Sequence, residues 1–378
     1  MKTIKFIHIA DMHLDMPFTS LNSFGSASIE RRHEQRTIFK KIIQTAIDKE
    51  IDMLFISGDL FEHDYASKGS ITFLNECFYS MPNVRVFISP GNHDPIVKSS
   101  YYSFFEWAPN VYVFNNPIEE IILEDLETSI YGTCFKDFHM YDSALKGFKI
   151  SGRSRTNILV SHGALDIIGG PEGYHTIYSK ELENSGLDYI ALGHIHKYMP
   201  EIAGGRAFYP GSPLALGFDE PGQHGIICGS LEGNRLEYEF IPIDTREYIT
   251  IRIDISGCTT SKEVVDKVVS KGANVLSSGS YYRIIVEGAV EADIIEEIEY
   301  IRKSIKSEIQ GFMAVCDFML SPSYDLQDIS RGNDLRAIFI KKMILEVKNT
   351  DDESEKRRLE KVMQLGLEAI DGKKVKYL

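Results

Sequence analysis

The sequence predicts an α/β fold in which a sheet is covered by helices on both faces. Several short segments are apolar along their whole length, which is typical of strands buried on both faces. Segments with apolar residues at helical spacing alternate with them. Polar residues stand repeatedly at the carboxyl ends of the apolar segments, where open α/β sheets hold their functional sites.

The first two thirds of the chain supply this pattern. Residues 3–10 are expected to form a strand, and the apolar residues between 30 and 50 recur at the spacing of a helix with one apolar face. The elements predicted next, in chain order, are a strand at 51–59, a helix at 69–80, and strands at 84–94, 157–163 and 188–196. Shorter strands separated by turns follow residue 205.

A change of pattern between residues 242 and 247 indicates a domain boundary. We predict a first domain at 1–242 and a smaller β-α-β-α-β domain at 248–322. A helical segment is predicted at 330–378, where two apolar stripes flank the charged stretch TDDESEKRR. The stripes comprise Leu335, Ile338, Phe339, Met343 and Ile344, and Leu359, Val362, Met363, Leu367 and Ile370.

Charge and cysteine content exclude several classes of protein. The net charge of −14 has the wrong sign for a chain that grips nucleic acid alone, so DNA contacts would need bound cations or a partner. The five cysteines are widely spaced without a CxxC pair, which argues against a disulfide framework or a zinc knuckle. We find no signal peptide or membrane-spanning stretch, and we expect a cytoplasmic protein without membrane attachment.

Five predicted strand ends carry residue types that bind divalent metals. The motifs, in chain order, are Asp11-x-His13, Gly58-Asp59, Gly91-Asn92-His93-Asp94, His162-Gly163 and Gly193-His194-x-His196. Imidazole and carboxylate ligands suit Mn, Fe or Zn. Each motif is common by itself, but five in this order after apolar strands favour a metal site over a structural role. The remaining histidines, expected to be surface or core residues, are His8, His33, His63, His139, His175 and His224.

Two adjacent metal ions are predicted, because a carboxylate can bridge two cations and Asp59 stands alone at its strand end. The ligands assigned to one ion are Asp11, His13, Asp59 and His196, and those assigned to the other are Asp59, Asn92, His162 and His194. With a bridging hydroxide the centre would keep about one positive charge, which attracts a phosphate ester. Metal coordination lowers the pKa of water from ~15.7 toward ~7, so we expect hydroxide to attack phosphorus.

His93 has a different predicted role. It neighbours Asn92 but should point elsewhere, because adjacent side chains diverge in extended backbone. An ordinary histidine pKa near ~6.5 suits a general acid that protonates the leaving oxygen, which is worth on the order of 10²–10⁴ in rate. We predict that Asp94 orients His93.

The motifs, in this order, resemble those of the calcineurin-like metallophosphoesterase superfamily over roughly residues 4–242. The resemblance implies a two-sheet αββα sandwich around a dinuclear centre, with the roles assigned above. The flanking sequences GDLFEHDYAS (58–67), ALGHIHKYMP (191–200) and YPGSPLALGFDEPGQHG (209–225) look like those of SbcD-type DNA repair exonucleases. ADMHLDMPF (10–18) departs from the commonest SbcD form and looks more like a side branch of bacterial SbcD-like proteins.

The SbcD-type resemblance implies manganese-dependent cleavage of DNA ends, with Fe or Zn as other possible metals. It also implies a capping domain at 248–322, a homodimer formed through the phosphoesterase domain, and an SbcC-type ATPase of the SMC class bound through the C-terminal helices. The two helical stripes fit that docking and would equally fit packing on their own core. Candidate local DNA contacts are Arg153, Arg155, Lys197 and Arg206, which ordinary solvated loop charges explain equally well.

Three functions remain open at this point. The first is a metal-dependent DNA exonuclease and endonuclease, favoured by the predicted cap and helical segment. The second is a phosphodiesterase or phosphatase acting on a small nucleotide, which the same metal centre permits and the acidic charge favours. The third is a scaffold with a vestigial site, against which the presence of every ligand and of His93 argues. If the first is right, this chain alone should bind DNA weakly and in a salt-sensitive manner.

Overall fold

The structure is a computed structural model that describes residues 3–141, 143–166, 175–277, 279–310, 312–324, 326–350 and 352–372. The chain divides into two compact units. The first consists of Met1–Thr250, Ser277–Arg283 and Phe312–Val315, and the second of Ile251–Leu276, Ile284–Gly311 and Cys316–Leu378. Residues 351 and 373–378 of the predicted C-terminal helical segment lie outside the described residues.

The elements follow the predicted alternation of strands and helices. The strands are β1 (Ile4–Ile9), β2 (Met53–Ile56), β3 (Arg85–Ile88), β4 (Val111–Val113), β5 (Glu119–Leu123), β6 (Thr128–Gly132), β7 (Thr156–His162), β8 (Ala164–Leu165), β9 (Thr176–Ile177), β10 (Tyr189–Gly193), β11 (Met199–Glu201), β12 (Ala207–Tyr209), β13 (Gly225–Glu232), β14 (Arg235–Pro242), β15 (Tyr248–Asp254), β16 (Tyr281–Val290) and β17 (Met313–Pro322). The α-helices are α1 (Ala27–Asp48), α2 (Lys68–Tyr79), α3 (Tyr101–Phe104), α4 (Ser179–Glu183), α5 (Ile202–Gly205), α6 (Ser261–Ala273), α7 (Ala292–Glu296), α8 (Ile298–Glu308), α9 (Leu326–Arg331), α10 (Leu335–Lys348) and α11 (Glu353–Ile370).

Two six-stranded sheets form the first unit within the described residues. Their strand orders are β14-β13-β1-β2-β3-β4 and β11-β12-β10-β7-β6-β5. Four neighbouring strands of each sheet run parallel, while β13 and β14 in the first sheet and β5 and β11 in the second are antiparallel to their neighbours. The predicted two-sheet α/β sandwich is confirmed.

Strand alternation sorts the apolar side chains into separate layers. In β1, Ile4 and Phe6 join the core between the sheets, whereas Ile7 and Ile9 join the core beneath α1 and α2. Successive side chains of a strand point to opposite faces, so a strand that is apolar throughout serves both layers. On the outer face of the second sheet, Leu159 of β7 joins a third buried cluster that includes residues of the short helices α4 and α5.

The strands β15, β16 and β17 form a three-stranded sheet in that order, with α6, α7 and α8 in the connections. The Thr260 side chain caps α6 by accepting a hydrogen bond from the Glu263 amide. The β-α-β-α-β pattern predicted one helix between β16 and β17, but the structure has two, α7 and α8, since the chain leaves helical geometry at Glu297.

Helices α10 and α11 pack on each other through Ile340, Met363 and Leu367. The apolar stripe predicted on α10 divides between two faces of that helix. Phe339, Met343 and Ile344 lie against the buried cluster, while the side chains of Leu335 and Ile338 are 65% and 60% exposed. Among the described helices, none is both long enough and apolar enough to cross a bilayer.

Candidate metal centre

The seven predicted metal ligands meet at the carboxyl edges of the two sheets. They lie at the carboxyl end of β7 and in the loops that follow β1, β2, β3 and β10. The residues are Asp11 and His13 after β1, Asp59 after β2, Asn92 after β3, His162 at the end of β7, and His194 and His196 after β10. Parallel strands with a common direction therefore bring together side chains that lie far apart in the sequence.

Several of these residues have an unusual backbone conformation. The φ angles of Asp11, His13 and Asp59 are 53°, 43° and 51°, a left-handed region that non-glycine residues rarely occupy. Their loops are joined by hydrogen bonds from the Asp11 amide to the Gly58 carbonyl (3.1 Å) and from the His13 amide to the Asp59 carbonyl (2.9 Å). Such strain clusters at functional sites, where the surrounding structure holds the residue in place.

Two glycines leave the space that the candidate ligands occupy. A Cβ on Gly58 would lie 2.3 Å from Nδ1 of His162, and one on Gly91 would lie 2.3 Å from Oδ1 of Asp59. Gly58 also has a φ of +87°, which disfavours any side chain. The glycines of the Gly-Asp and Gly-Asn-His-Asp motifs are therefore required for close packing around Asp59.

The donor atoms of Asp11, His13 and His196 form one group, all within 4.8 Å of one another. Nε2 of His13 lies 3.2 Å from Nε2 of His196, which lies 3.9 Å from Oδ1 of Asp11. Ligands bound to one ion at about 2.1 Å in tetrahedral geometry would be about 3.4 Å apart. The separations in this group are therefore compatible with a shared metal ion.

A second group surrounds Asn92. Its Oδ1 lies 3.0 Å from Nε2 of His162 and 3.3 Å from Nδ1 of His194. Oδ2 of Asp59 lies 3.3 Å from Nε2 of His162 and also 3.6 Å from Nε2 of His13, a member of the first group. The same carboxylate oxygen thus stands between both groups, where a bridging ligand would have to be.

Three of the four imidazoles are held through the ring nitrogen that faces away from the site. In each case Nδ1 donates to an oxygen and leaves Nε2 free to bind a metal, the arrangement usual for metal-binding histidines. The pairs are His13 with Oε1 of Glu62 (2.7 Å), His162 with the Ser57 carbonyl (2.8 Å) and His196 with Oε1 of Glu220 (2.6 Å). The donor set and its tautomers therefore fit divalent metal ions.

The electrostatics of the site also favour the binding of divalent metal ions. Burial raises the pKa of Asp11, whereas that of Asp59 lies well below its usual range because the charges of His162 and His13 outweigh burial. Burial opposes charge on His162 and His196 as well, but neighbouring carboxylates raise the pKa of both to about 9. Without metals, protonated imidazoles therefore balance the charge of the buried carboxylates. Bound divalent cations can supply this positive charge instead and displace the protons.

His93 lies beside the two groups and is more open to solvent, with a side chain 45% exposed. Its Nδ1 donates to Oε2 of Glu62 at 3.0 Å, and its amide donates to Oδ1 of Asp59 at 2.8 Å. Burial disfavours the imidazolium, but the hydrogen bond to Glu62 and the charge of Asp59 outweigh it and raise the pKa of His93 to about 9. His93 can thus hold a proton at neutral pH.

The hydrogen bonds of the Asp94 carboxylate join it to residues other than His93, in contrast to the orienting role that we predicted. Its carboxylate is fully buried and accepts hydrogen bonds from the amides of Asp59, Leu60 and Gly91 and from the hydroxyl of Tyr102. Adjacent side chains diverge, so Asp94 turns into the loop while His93 faces outward. The carboxylate that accepts from the His93 ring is that of Glu62.

Most of the predicted basic contacts lie at the wrong edge of the second sheet. Arg153 and Arg155 precede β7, whose opposite end carries His162 about 20 Å away at the usual rise per residue. Arg206 directly precedes β12. Because β12 runs parallel to its neighbour β10, Arg206 lies at the amino end of β10, whereas the metal groups lie at its carboxyl end. Lys197 alone of the four stands beside the metal groups, one residue after His196.

Sequence reasoning missed the two carboxylates that hold the histidines. Glu62 follows Asp59 by three residues, and Glu220 lies in the segment 209–225 quoted above. Both were visible as acidic residues inside motif flanks, but neither follows a strand end directly. Their partners, His13 and His196, are far away in the sequence, so no local pattern indicated the contacts.

The sequence matches the calcineurin-like phosphoesterase family over residues 4–198, just over half of the chain, and the protein belongs to that family. It is therefore a metallophosphoesterase, a hydrolase whose family implies a centre of two divalent metal ions. The clustered histidines and aspartates fit such a centre.

Individual proteins are similar over a longer part of the chain. The uncharacterized metallophosphoesterase YhaO of Bacillus subtilis is 25% identical over 303 residues, covering 78% of this chain and 74% of YhaO. The DNA double-strand break repair protein Mre11 of Methanopyrus kandleri is 24% identical over 334 residues, covering 78% of this chain and 70% of Mre11. A dimetal phosphatase of Danio rerio aligns in structure with a TM-score of 0.38 and 10% identity, covering 64% of this chain and 99% of the phosphatase.

Proposed function

We propose that the protein is a metal-dependent DNA exonuclease and endonuclease, the nuclease subunit of a DNA-end processing and repair complex of the SbcD type. The observation that carries the proposal is the likeness to a DNA double-strand break repair protein over 78% of the chain. That share is more than the predicted phosphoesterase domain, residues 1–242, could supply. The likeness therefore includes part of the segment that we expect to select DNA structure.

The site divides the chemistry among its residues. The proposed ligands of one ion are Asp11, His13, Asp59 and His196, and those of the other are Asp59, Asn92, His162 and His194. Bound divalent cations would lower the pKa of a water molecule and screen the charge of the phosphodiester. His93 then gives the proton on Nε2 to the leaving oxygen, while Glu62 holds Nδ1 and stabilises the charged ring.

Manganese is the metal we propose, with iron or zinc compatible with the same ligands. The donor set mixes imidazole nitrogens with carboxylate and amide oxygens and contains no thiolate. Such mixed sites suit divalent first-row metals generally, so metal identity depends on supply and coordination number as well as on ligand type.

A phosphodiesterase or phosphatase that acts on a small nucleotide is the second candidate. The net charge of −14 favours it, because an acidic surface repels the phosphate backbone of long DNA and affects a small substrate less. Three of the four basic residues that could have offset this repulsion stand away from the metal groups. Under the nuclease proposal, most of the DNA grip comes from the partner.

The partners are proposed on the same basis. We propose an SbcC-type ATPase of the SMC class bound at the C-terminal helices, a homodimer formed through the phosphoesterase domain, and action on DNA in a reducing cytoplasm. Leu335, Ile338 and Leu345 of α10 support the docking proposal, since their side chains are 59–65% exposed beside a helix pair that already has its own core. All five cysteines are buried free thiols, which suits a reducing compartment.

One experiment separates these functions. The manganese-loaded protein is incubated with end-labelled linear DNA, a cyclic nucleotide and a chromogenic phosphodiester, in parallel with the variant His93→Gln. The matched control is His33→Gln, which changes an exposed histidine of α1. The nuclease proposal expects shortened DNA from the unsubstituted protein and from the control, and loss of cleavage in His93→Gln with both metals retained.

The other outcomes are equally distinct. Turnover of the cyclic nucleotide without shortening of DNA would establish the second candidate. The absence of any product that depends on His93 would overturn both enzymatic proposals. Loss of metal from His93→Gln would show that this residue is a ligand and that its proposed role as an acid is wrong.

A further inference from the structure

A cleft opens directly beside the proposed metal ligands. It has a volume of about 890 Å³ and is lined by residues 194–198, by the loop 219–224 and by Phe240. This size falls within the range of small-molecule sites in proteins, roughly 300–1,000 Å³. Because His194 and His196 form part of its wall, a phosphate held by the metals would place the attached nucleoside at the mouth of this cleft.

An aromatic pair forms another part of the cleft wall. The rings of Tyr198 and Phe240 are stacked, with centroids 4.3 Å apart and planes 29° from parallel. Phe240 lies in β14, paired with Ile227 of β13, so its backbone belongs to the sheet rather than to a loop. Both side chains are only half-buried and keep ring surface open to the cleft. A planar group that enters can extend the existing stack.

The charges of the lining indicate which part of a nucleotide would enter. Asp219 and Glu220 line the cleft, and Lys197 is the one lysine or arginine among the described lining residues. The Glu220 carboxylate already accepts hydrogen bonds from His196 and Ser212, whereas the Asp219 side chain is exposed. Carboxylates repel a phosphate but accept hydrogen bonds from the amino groups of a nucleobase.

We propose that this cleft is a nucleobase subsite, in which the base next to the scissile phosphate stacks on the Tyr198–Phe240 pair. The proposal rests on the proposed function, because it requires a nucleotide phosphodiester at the metal centre. Base stacking on aromatic side chains is favourable and tolerates all four bases, since each has a flat ring face. The subsite would thus contribute affinity without strong sequence preference.

A base inside a duplex is already stacked and paired, and must leave the helix to enter a cleft of this kind. In single-stranded or frayed ends the base is already unpaired, so the free energy of leaving the helix is not required. The subsite therefore selects an unpaired base at the scissile position, whether it belongs to DNA or to a small nucleotide.

The test compares substrates with and without a base. One labelled single-stranded oligonucleotide carries ordinary bases throughout, a second has abasic residues around the scissile phosphate, and a cyclic dinucleotide represents small substrates. The variants are Tyr198→Ala, Phe240→Ala and Phe240→Leu, the last of which keeps apolar volume but removes the ring. Phe104→Ala is the matched control, because Phe104 is an exposed aromatic residue of α3 outside the lining of the cleft.

We expect the ring-removing variants to raise KM for the base-containing oligonucleotide about tenfold or more, with a smaller effect on kcat. The abasic oligonucleotide should be a poor substrate for the unsubstituted protein and should be unaffected by the variants. A KM effect confined to the cyclic dinucleotide would support the subsite and assign it to small nucleotides. Phe104→Ala should match the unsubstituted protein throughout.

Two results would overturn the proposals, and they differ. Equal cleavage of base-containing and abasic DNA by all variants would remove the subsite and leave the nuclease function in place. If the unsubstituted protein cleaves none of the three substrates, the proposed function itself fails. Thermal melting of each variant separates a loss of stacking from a loss of fold. Phe240→Leu is included because leucine keeps apolar volume at this position of β14.

Discussion

The Glu62 carboxylate joins His13 to His93. Its Oε1 accepts from Nδ1 of His13 at 2.7 Å, and its Oε2 accepts from Nδ1 of His93 at 3.0 Å. Despite partial burial, these hydrogen bonds lower the pKa of Glu62 to about 2. A single side chain therefore fixes the tautomer of a proposed metal ligand and supports the charge of the proposed general acid.

The first prediction concerns the substitution Glu62→Gln. The hydrogen bond and charge of Glu62 raise the pKa of His93, so without the carboxylate this pKa falls and His93 loses its proton at lower pH. Activity that needs the protonated ring is present below this pKa and is lost as the pH rises through it. We expect the alkaline limb of the kcat profile to move to lower pH and kcat at pH 8 to fall by about 10- to 100-fold.

Glu76→Gln is the matched control, since Glu76 is an exposed acid on α2. Its pH profile should equal that of the unsubstituted protein. An unchanged alkaline limb in Glu62→Gln, with metal content preserved, would show that Glu62 does not support the charge of His93.

The second prediction concerns the buried carboxylate of Asp94. Burial raises its pKa to about 6, yet it accepts hydrogen bonds from three amides and from the Tyr102 hydroxyl. Asp94→Asn replaces an acceptor oxygen by a donor that faces amide donors, which should lower the free energy of unfolding by about 2–4 kcal/mol. Urea denaturation measures the loss.

Tyr102→Phe removes a single one of these hydrogen bonds and should cost about 1 kcal/mol. If Asp94→Asn were instead as stable as the unsubstituted protein while only its activity fell, Asp94 would have a chemical role like the one we first assigned to it.

The third prediction concerns metal loading. In the metal-free protein the pKa values of His162 and His196 lie at about 9, so both rings carry an extra proton at pH 7. A metal ion must displace those protons before it can bind Nε2. Manganese affinity should therefore rise from pH 6 to pH 9, with proton release that calorimetry detects as a dependence on buffer ionisation enthalpy. Binding without proton release at pH 7 would contradict the proposed ligation by these two histidines.

The fourth prediction concerns acid stability. Burial lowers the pKa of His175 to about 4, and the neutral ring donates from Nδ1 to the His162 carbonyl and accepts from the Ala144 amide at Nε2. Its contribution to stability is complete above the ordinary pKa near ~6.5 and is lost as the pH falls toward the folded value. The largest slope expected from one such histidine is about 1.4 kcal/mol per pH unit.

His175→Gln removes this dependence. The difference in unfolding free energy between the unsubstituted protein and His175→Gln should be largest at pH 7 and should shrink toward pH 4, as followed by urea denaturation. A difference that stayed constant over this range would mean that the pKa of His175 is the same in the folded and unfolded states. The exposed His33→Gln variant provides the reference slope.

The success of the fold prediction came from local patterns. Residues 53–56 and 189–193 are apolar without interruption, and this pattern is characteristic of strands buried on both faces. The helix predicted at 69–80 is α2 at 68–79, since its apolar spacing and the Ser67 cap both lie within one short segment. The pair α7 and α8 was missed as a pair, because the break at Glu297 carries no Gly or Pro signal.

The sequence by itself determined the α/β class through strand periodicity and supplied the seven candidate ligands through strand-end motifs, because both patterns lie in neighbouring residues. The arrangement in two sheets was expected from the family resemblance and not from periodicity. Tertiary structure alone decided that Glu62 rather than Asp94 contacts His93, that Glu220 holds His196, and that Arg153 lies far from the metal groups. Those relationships depend on how loops from different strands approach one another. Contacts between residues far apart in the chain leave no periodic trace in it.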